Sequence, residues 1–248
     1  LRPHAKTHKS VDVARRQIAA GAIGQCCAKI GEAEALADGG IGGLLITSPV
    51  VSPPAIARLV ALNARSEGLM CAADNPEVAR SIAAAIAEAG GPPLTMLVDI
   101  DPGIHRTGVA SPEAAVALFR AIAAEPTLRY GGVQYYCGAQ QHIESFAERE
   151  AVMHERAAYL REVIAALAAA GGAPPIVSGG GTGTHRIDAT LGCFTELQVG
   201  SYVFMDDQYQ ACALTAEAGE MPFETALMVD TRVISTNADA LVTVDAGF

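Results

Sequence analysis

The chain has 248 residues, enough for one large domain or two small ones. Half of its residues are hydrophobic and 18% are charged, a balance that excludes a disordered chain. The net charge is −10 and no stretch concentrates Lys or Arg, so neither nucleic acid nor an anionic membrane is the expected partner. The six cysteines include the adjacent Cys26 and Cys27 and are too sparse for a disulfide scaffold. We therefore expect reduced thiols and a cytoplasmic location.

Short apolar segments alternate with Ala-rich helical segments along the chain. The eight predicted strands are Leu1–Ala5, Gly24–Ala28, Leu44–Ser48, Leu69–Ala73, Thr95–Ile100, Gly132–Cys137, Ile176–Gly179 and Glu196–Gly200. The predicted helices between them are Val11–Ala20, Glu32–Ala37, Ala55–Arg65, Glu77–Ala89, Glu113–Glu125 and Phe146–Ala170. This alternation is typical of a parallel sheet, and eight units in about 200 residues predict a closed (β/α)8 barrel. An open doubly wound sheet is the alternative, although it usually has fewer strands.

The pattern changes from Asp206 onward. Met221–Ser235 and Ala238–Val244 are predicted as strands that are joined without a helix. We therefore expect a barrel over residues 1–205, followed over residues 206–248 by a connection and the first strands of a β-rich domain. The chain begins without Met and stops just after a strand-like segment, so we expect it to belong to a longer protein. No signal peptide or membrane-spanning segment is predicted.

Lys6 is a candidate catalytic residue because it directly follows the first predicted strand. In barrels of this kind, the active site lies at the carboxyl ends of the strands. The chain has only two other lysines, Lys9 and Lys29. Partial burial lowers the pKa of a lysine, and the neutral amine can form an imine with an aldehyde. The alternative is a solvated lysine at the barrel mouth.

Two glycine-rich loops follow the seventh and eighth predicted strands, at Gly179–Thr184 and Gly200–Tyr202. Glycines let backbone N–H groups converge on an anion, and the hydroxyl groups of these loops add donors. Loops at these two positions are the usual phosphate site of a (β/α)8 barrel. A plain glycine-rich turn is the alternative. An imine-forming lysine together with a phosphate site indicates pyridoxal 5′-phosphate (PLP).

Two further side chains follow predicted strands. Arg106 lies in a glycine-flanked loop after the fifth strand, where its guanidinium could face a planar anion or a ring nitrogen. It could instead pair with Asp99 or Asp101. His142 follows the sixth strand, and histidine is the side chain that most often acts as a general acid or base near neutral pH. A purely structural histidine is the alternative.

Several stretches resemble the fold-type III PLP enzymes, which have the alanine racemase barrel. Within them, the chain is similar to the D-threonine aldolase and D-serine dehydratase-like branch. The matching stretches are Leu1–Lys9, Cys26–Lys29, Glu32–Glu34, the loop around Arg106, Gly179–Gly183 and Glu196–Asp206. The resemblance extends over essentially the whole chain, and its first and last stretches are the specific ones. It implies an α/β fold with a barrel of the alanine racemase N-terminal domain type.

The resemblance also implies roles for individual residues. Lys6 would form the imine with PLP, Arg106 would approach the pyridine nitrogen, and Tyr136 would contact the cofactor or the substrate. The phosphate would be held by Thr182, Gly183, Thr184, Gly200, Ser201 and Tyr202. His142, which follows Gln141, matches the aldolase base that removes the proton of the β-hydroxyl group. Relatives often have a histidine where this chain has Cys137, which could alter selection near the β-carbon.

The activity implied by the resemblance is retro-aldol cleavage of a D-3-hydroxy amino acid to glycine and an aldehyde. One alternative is a metal-dependent dehydratase of D-serine or D-3-hydroxyaspartate, and another is a non-catalytic PLP-carrier barrel. A barrel enzyme that forms a lysine imine with a phosphorylated substrate, without PLP, is a third. The resemblance further implies a divalent metal ion (Mn, Mg, Co or Zn) with ligands beyond Phe248, and a monomer or homodimer.

Overall fold

The computed structural model describes residues 1–217 and 219–246. The α-helices are α1 (Val11–Ala19), α2 (Ile30–Asp38), α3 (Pro53–Asn63), α4 (Pro76–Ala89), α5 (Pro112–Ala123), α6 (Phe146–Ala169), α7 (His185–Asp188) and α8 (Asp207–Gln210). The strands are β1 (Gln25–Cys27), β2 (Leu44–Ile46), β3 (Met70–Ala73), β4 (Leu94–Asp99), β5 (Leu128–Tyr135), β6 (Ile176–Gly179), β7 (Glu196–Leu197), β8 (Val233–Ala238) and β9 (Leu241–Val244). Two short 3₁₀ turns cover Ala139–His142 and Ser201–Val203.

Strands β1 to β7 form one parallel sheet in which each strand pairs with the next along the chain. The predicted first strand, Leu1–Ala5, is not a regular strand, but it closes this sheet. The His4 N–H donates to the carbonyl of Val199 just after β7, at 2.8 Å, and the Ala5 N–H donates to the carbonyl of Cys26 in β1, at 2.8 Å. The barrel prediction is confirmed. An open doubly wound sheet is excluded because the strand order shows no reversal.

The helices form where the sequence supplies both a cap and an apolar face. Before α5, for example, the Ser111 side chain accepts a hydrogen bond from the backbone of Ala114, and Pro112 occupies the first helical turn. The buried residues of α5 recur every three or four positions and pack on the sheet: Ala115, Leu118 and Ile122. All three residues of β2 are buried, as expected of a strand that is covered on both faces.

The barrel interior contains a layer of buried polar side chains. The Nε atom of Arg2 lies 2.8 Å from a carboxylate oxygen of Glu196. The Ser178 hydroxyl donates to the same carboxylate at 2.6 Å, and Gln198 donates to the Ser178 hydroxyl at 2.9 Å. Because each of these four side chains has a hydrogen-bond partner, they give a rigid polar floor to the barrel mouth.

The end of the chain differs in part from its prediction. Strands β8 and β9 form a separate antiparallel pair, in which Val233 lies opposite Val244. The prediction of a strand over Met221–Ser235 is wrong for residues 221–232, because a strand needs a hydrogen-bonded neighbour and β9 extends only to the level of Val233. Across the described ranges, no helix is long and apolar enough to cross a membrane.

Candidate active site

Two adjoining cavities open at the carboxyl ends of the barrel strands. The larger, of about 190 Å³, is lined by His4, Lys6, Ala28, Thr47, Ser48, Arg106, Thr107, Gln134, Tyr136 and Gln198. The smaller, of about 40 Å³, is lined by His4, Lys6, Tyr136, Gly181, Thr182, Gln198, Gly200, Ser201 and Tyr209. The two therefore share four residues, among them Lys6. Two roomier grooves, of about 440 and 530 Å³, contain neither Lys6 nor Arg106 and lie outside the barrel mouth.

Lys6 lines both cavities and lies in the loop that follows the closing segment Leu1–Ala5. Its Nζ atom lies 5.6 Å from the centroid of the Tyr136 ring. Burial lowers the pKa of the Lys6 amine, and the positive charge of Arg106 lowers this pKa further. The amine is therefore neutral at a lower pH than an ordinary lysine, which suits a nucleophile that attacks an aldehyde.

His4, which no sequence pattern marked as functional, lies beside Lys6 and lines both cavities. Its Nδ1 atom accepts the backbone N–H of Lys6 at 3.3 Å, so the ring proton is assigned to Nε2, which donates to the Thr47 hydroxyl at 3.2 Å. Burial, reinforced by the charges of Lys6 and Arg106, lowers the pKa of His4 to about 3. The imidazole is therefore neutral at physiological pH and adds no positive charge beside the Lys6 amine.

Arg106 is not paired with either nearby aspartate. The Asp101 carboxylate caps its own loop instead, accepting three backbone N–H groups at 2.9–3.0 Å and the His105 ring at 2.8 Å. Within residues 1–217 and 219–246, Arg106 takes part in no ion pair. Its guanidinium carbon lies 5.7 Å from the centroid of the Tyr136 ring, and its side chain lines the larger cavity. It is thus available to a group in that cavity.

The two glycine-rich loops meet at the smaller cavity. Of the six predicted phosphate ligands, those that line it are Thr182, Gly200 and Ser201. The Tyr202 N–H donates to the Thr182 hydroxyl at 3.0 Å and so joins the two loops. The Tyr202 hydroxyl accepts a hydrogen bond from Gln17 at 2.7 Å, on the opposite side of the barrel wall. Among the described residues, the backbone N–H groups of Gly200 and Ser201 have no acceptor, so both remain available to an anion.

The remaining two predicted ligands, Gly183 and Thr184, support the first loop from behind. The Gly183 N–H donates to the side-chain oxygen of Gln141 at 3.0 Å, and the Gln141 amide donates to the Thr184 hydroxyl at 2.9 Å. The Thr184 hydroxyl in turn donates to Asp188. Gln141 is fully buried and therefore anchors the loop that also carries His142.

His142 itself is exposed in the 3₁₀ turn Ala139–His142 and lines neither cavity. Its ring centroid lies 4.5 Å from that of Tyr209, and the ring planes are inclined at 42°. Tyr209 is 5% exposed and lines the smaller cavity, so it contacts both this cavity and the His142 ring. No sequence pattern pointed to Tyr209, because a single tyrosine in a connecting segment carries no periodicity.

The geometry of the site agrees with the comparisons with known proteins. The family model described as alanine racemase, N-terminal domain, matches residues 2–231. The chain belongs to this family. It is 41% identical to 3-hydroxy-D-aspartate aldolase of Paracoccus denitrificans (strain Pd 1222), over 99% of this chain and 64% of that protein.

Two further aldolases are similar to this alanine racemase-type barrel. D-threonine aldolase of Arthrobacter sp. is 37% identical over 100% of this chain and 64% of that protein. The crystal structure of D-threonine aldolase from Filomicrobium marinum superposes with a TM-score of 0.89 at 36% identity, covering 99% of this chain and 65% of that one. The chain thus spans a little under two thirds of the length of these relatives.

Gly183→Val should weaken PLP binding and destabilise the protein. A Cβ atom at position 183 would lie 2.0 Å from the backbone oxygen of Gln141. The loop that carries Gly183 and the 3₁₀ turn that carries Gln141 would therefore have to move apart. The reason is this close approach, not a left-handed backbone, because the φ angle of Gly183 is ordinary. PLP titration and thermal unfolding measure both effects, and Gly91→Ala is the control, since its nearest neighbour is at an ordinary 3.7 Å. Unchanged PLP affinity in folded Gly183→Val would contradict the prediction.

Asp188 should make stability depend on pH. Burial raises the pKa of Asp188 to about 7, although hydrogen bonds from Thr184 and Gly181 oppose the shift. Since the carboxyl ionises at lower pH in the unfolded chain, its contribution to stability is present below about pH 4 and is lost as pH rises towards about 7. The free energy of unfolding, measured with urea at about pH 5 and pH 8, should decrease between these two pH values. The decrease should be about 2 kcal/mol smaller in Asp188→Asn than in the unmodified protein. The exposed Asp239, replaced by Asn, is the control; equal decreases in all three proteins would contradict the prediction.

Proposed function

We propose that the chain is the catalytic barrel of a PLP-dependent lyase that cleaves a D-3-hydroxy amino acid to glycine and an aldehyde. The observation that carries the proposal is that Lys6 and the two glycine-rich loops share one cavity. The two aldolase relatives and the aldolase structure support the retro-aldol reaction. In this proposal residues 1–205 form the PLP-binding barrel, and residues 206–248 form a connection and the first strands of a second domain.

The residues at the barrel mouth fit PLP. A Cβ atom at Gly200 would lie 2.9 Å from the Thr7 hydroxyl oxygen, so glycine lets this loop lie close against the segment that carries Lys6. The uncommitted N–H groups of Gly200 and Ser201 suit a phosphate, and Lys6 lies in the same cavity. When bound, PLP supplies an aldehyde for amino groups and a ring that accepts electrons from bonds broken at Cα.

Each predicted side chain has a role in this proposal. Lys6 would hold the cofactor through its amine. Arg106 would face the ring nitrogen and keep it unprotonated, while Tyr136 packs against both Lys6 and Arg106. Thr182, Gly200 and Ser201 would contact the phosphate directly. Gly183, Thr184 and Tyr202 hold the loops at the right spacing.

Two proton transfers complete the reaction. His142 removes the proton from the β-hydroxyl oxygen as the Cα–Cβ bond breaks. Lys6, or a water molecule, then returns a proton to the Cα atom of the glycine that remains.

A divalent metal ion, Mn, Mg, Co or Zn, remains a proposal that rests on the resemblance. Among residues 1–217 and 219–246, no group of three His, Cys, Asp or Glu side chains is placed to hold a metal. The resemblance implies that its ligands lie beyond Phe248. We also propose a cytoplasmic monomer or homodimer that acts on a free D-amino acid, without nucleic-acid or membrane partners. The net charge of −10 supports the last point, because it disfavours contact with nucleic acid and anionic membranes.

Product analysis tests the function. The full-length protein, loaded with PLP and a divalent metal, is incubated with D-threonine, with D-3-hydroxyaspartate and, as the control, with L-threonine. Glycine and an aldehyde from a D-substrate are the expected products. An oxo acid and ammonia would identify the dehydratase, and no turnover with PLP bound would identify the carrier. A colourless protein that binds no PLP would indicate the barrel enzyme that acts without it.

A further inference from the structure

Tyr209 contacts both the smaller cavity and the side chain of His142. It lines the smaller cavity together with Lys6, Tyr136 and Ser201, and it is almost completely buried. The His142 ring, 4.5 Å away between centroids, is exposed on its other side. Within the described part of the chain, the His142 side chain forms neither a hydrogen bond nor an ion pair. The contact with Tyr209 is therefore what restrains the imidazole.

We propose that Tyr209 is a positioning residue that holds the imidazole of His142 at the rim of the cavity. The inference rests on the proposed function, in which His142 removes the proton of the β-hydroxyl group. A base that rotates freely in solvent loses most of the benefit of proximity. An aromatic ring packed against the imidazole limits the orientations that the imidazole can take.

Tyr209 is itself rigidly held. Its backbone N–H donates to the side chain of Asp206, the residue before α8, at 3.0 Å. Its ring belongs to a small buried cluster with Met205, Cys212 and Leu214. The phenol thus has few alternative positions, and it can act as a fixed support for a neighbouring ring.

A buried arginine ties the segment after His142 to the segment after Tyr209. Arg149, on α6, is fully buried, and its guanidinium donates to the carbonyl oxygens of Ile143 and Ala213. Ile143 directly follows His142, and Ala213 lies shortly after Tyr209. These two hydrogen bonds keep the backbones beneath the two rings at a constant separation, independently of the ring contact.

The experiment compares Tyr209→Leu, Tyr209→Phe, His142→Asn and the double variant Tyr209→Leu/His142→Asn in the full-length, PLP-loaded protein. Tyr209→Leu should lower D-3-hydroxy amino acid cleavage at least about tenfold while exchange of the glycine α-proton changes less than about threefold. Tyr209→Phe, which keeps the ring, should recover most of the loss. In the His142→Asn background, Tyr209→Leu should lower the cleavage rate by less than about twofold, because the base that Tyr209 positions is already absent.

A second readout does not depend on activity. The ring-proton NMR signal of His142, assigned by its disappearance in His142→Asn, should shift in Tyr209→Leu and stay close to its position in Tyr209→Phe. An unshifted signal in Tyr209→Leu, or the same loss of cleavage with and without His142, would overturn the inference. Parallel loss of cleavage and glycine exchange would also overturn it, because Tyr209 would then only maintain the cavity. If the unmodified protein releases no aldehyde, the proposed function fails, whereas the NMR comparison still decides whether Tyr209 holds His142.

Discussion

Lys6→Ala should abolish the covalent attachment of PLP and lower substrate cleavage by about 10³-fold or more. Lys6 is the lysine that lines both cavities at the barrel mouth. Lys9 and Lys29 lie instead along a separate groove beside α2, so neither amine can take its place. The visible absorption band of lysine-bound PLP should disappear, and borohydride followed by peptide mass analysis should no longer label the chain.

Lys9→Ala is the matched control, because this lysine is only three positions away, is exposed and does not line either cavity. Its absorption band, PLP content and cleavage rate should equal those of the unmodified protein. Borohydride labelling of Lys9 or Lys29 in Lys6→Ala, with the band retained, would show that the cofactor is attached elsewhere.

His142→Asn should lower aldehyde release by at least about two orders of magnitude, equivalent to about 3 kcal/mol of activation free energy. Carbon–carbon cleavage needs the β-hydroxyl proton to leave, and a positioned imidazole suits this at neutral pH. PLP binding should be retained, since His142 does not line the cofactor cavities. Exchange of the glycine α-proton should change much less, because that step involves Lys6 or water and no hydroxyl group.

Aldehyde release and deuterium incorporation into glycine are measured in the same preparation. His154→Asn is the control, because His154 is an exposed histidine on α6 and lines neither cavity. If cleavage and exchange fall together in His142→Asn, the residue maintains the site and is not the specific base. If neither falls, the base lies in another part of the protein.

The barrel and the rim that carries the candidate site could be predicted because both depend on local patterns. Apolar strands that alternate with capped helices determine a parallel barrel, and in such a barrel every strand ends at the same rim. The loops that follow strands bring Lys6, Arg106, Thr182, Gly200 and Ser201 to this rim, together with Tyr136, whose role the resemblance implies. His142, which was predicted from its place after a strand, lines neither cavity. The strand over residues 221–232 was wrongly predicted, since apolar composition does not reveal whether a hydrogen-bonding neighbour exists.

The tertiary structure was needed wherever a role depends on a partner that is distant in the sequence. Leu1–Ala5 closes the barrel only because β7 and β1 leave a gap of one strand for it. Gly183 supports a loop because Gln141 takes its N–H, and His142 meets Tyr209 because α8 folds back beside the 3₁₀ turn. Periodicity reports which face of an element is buried. Periodicity does not show which distant side chain will pack against that buried face, because this depends on the packing of the whole fold.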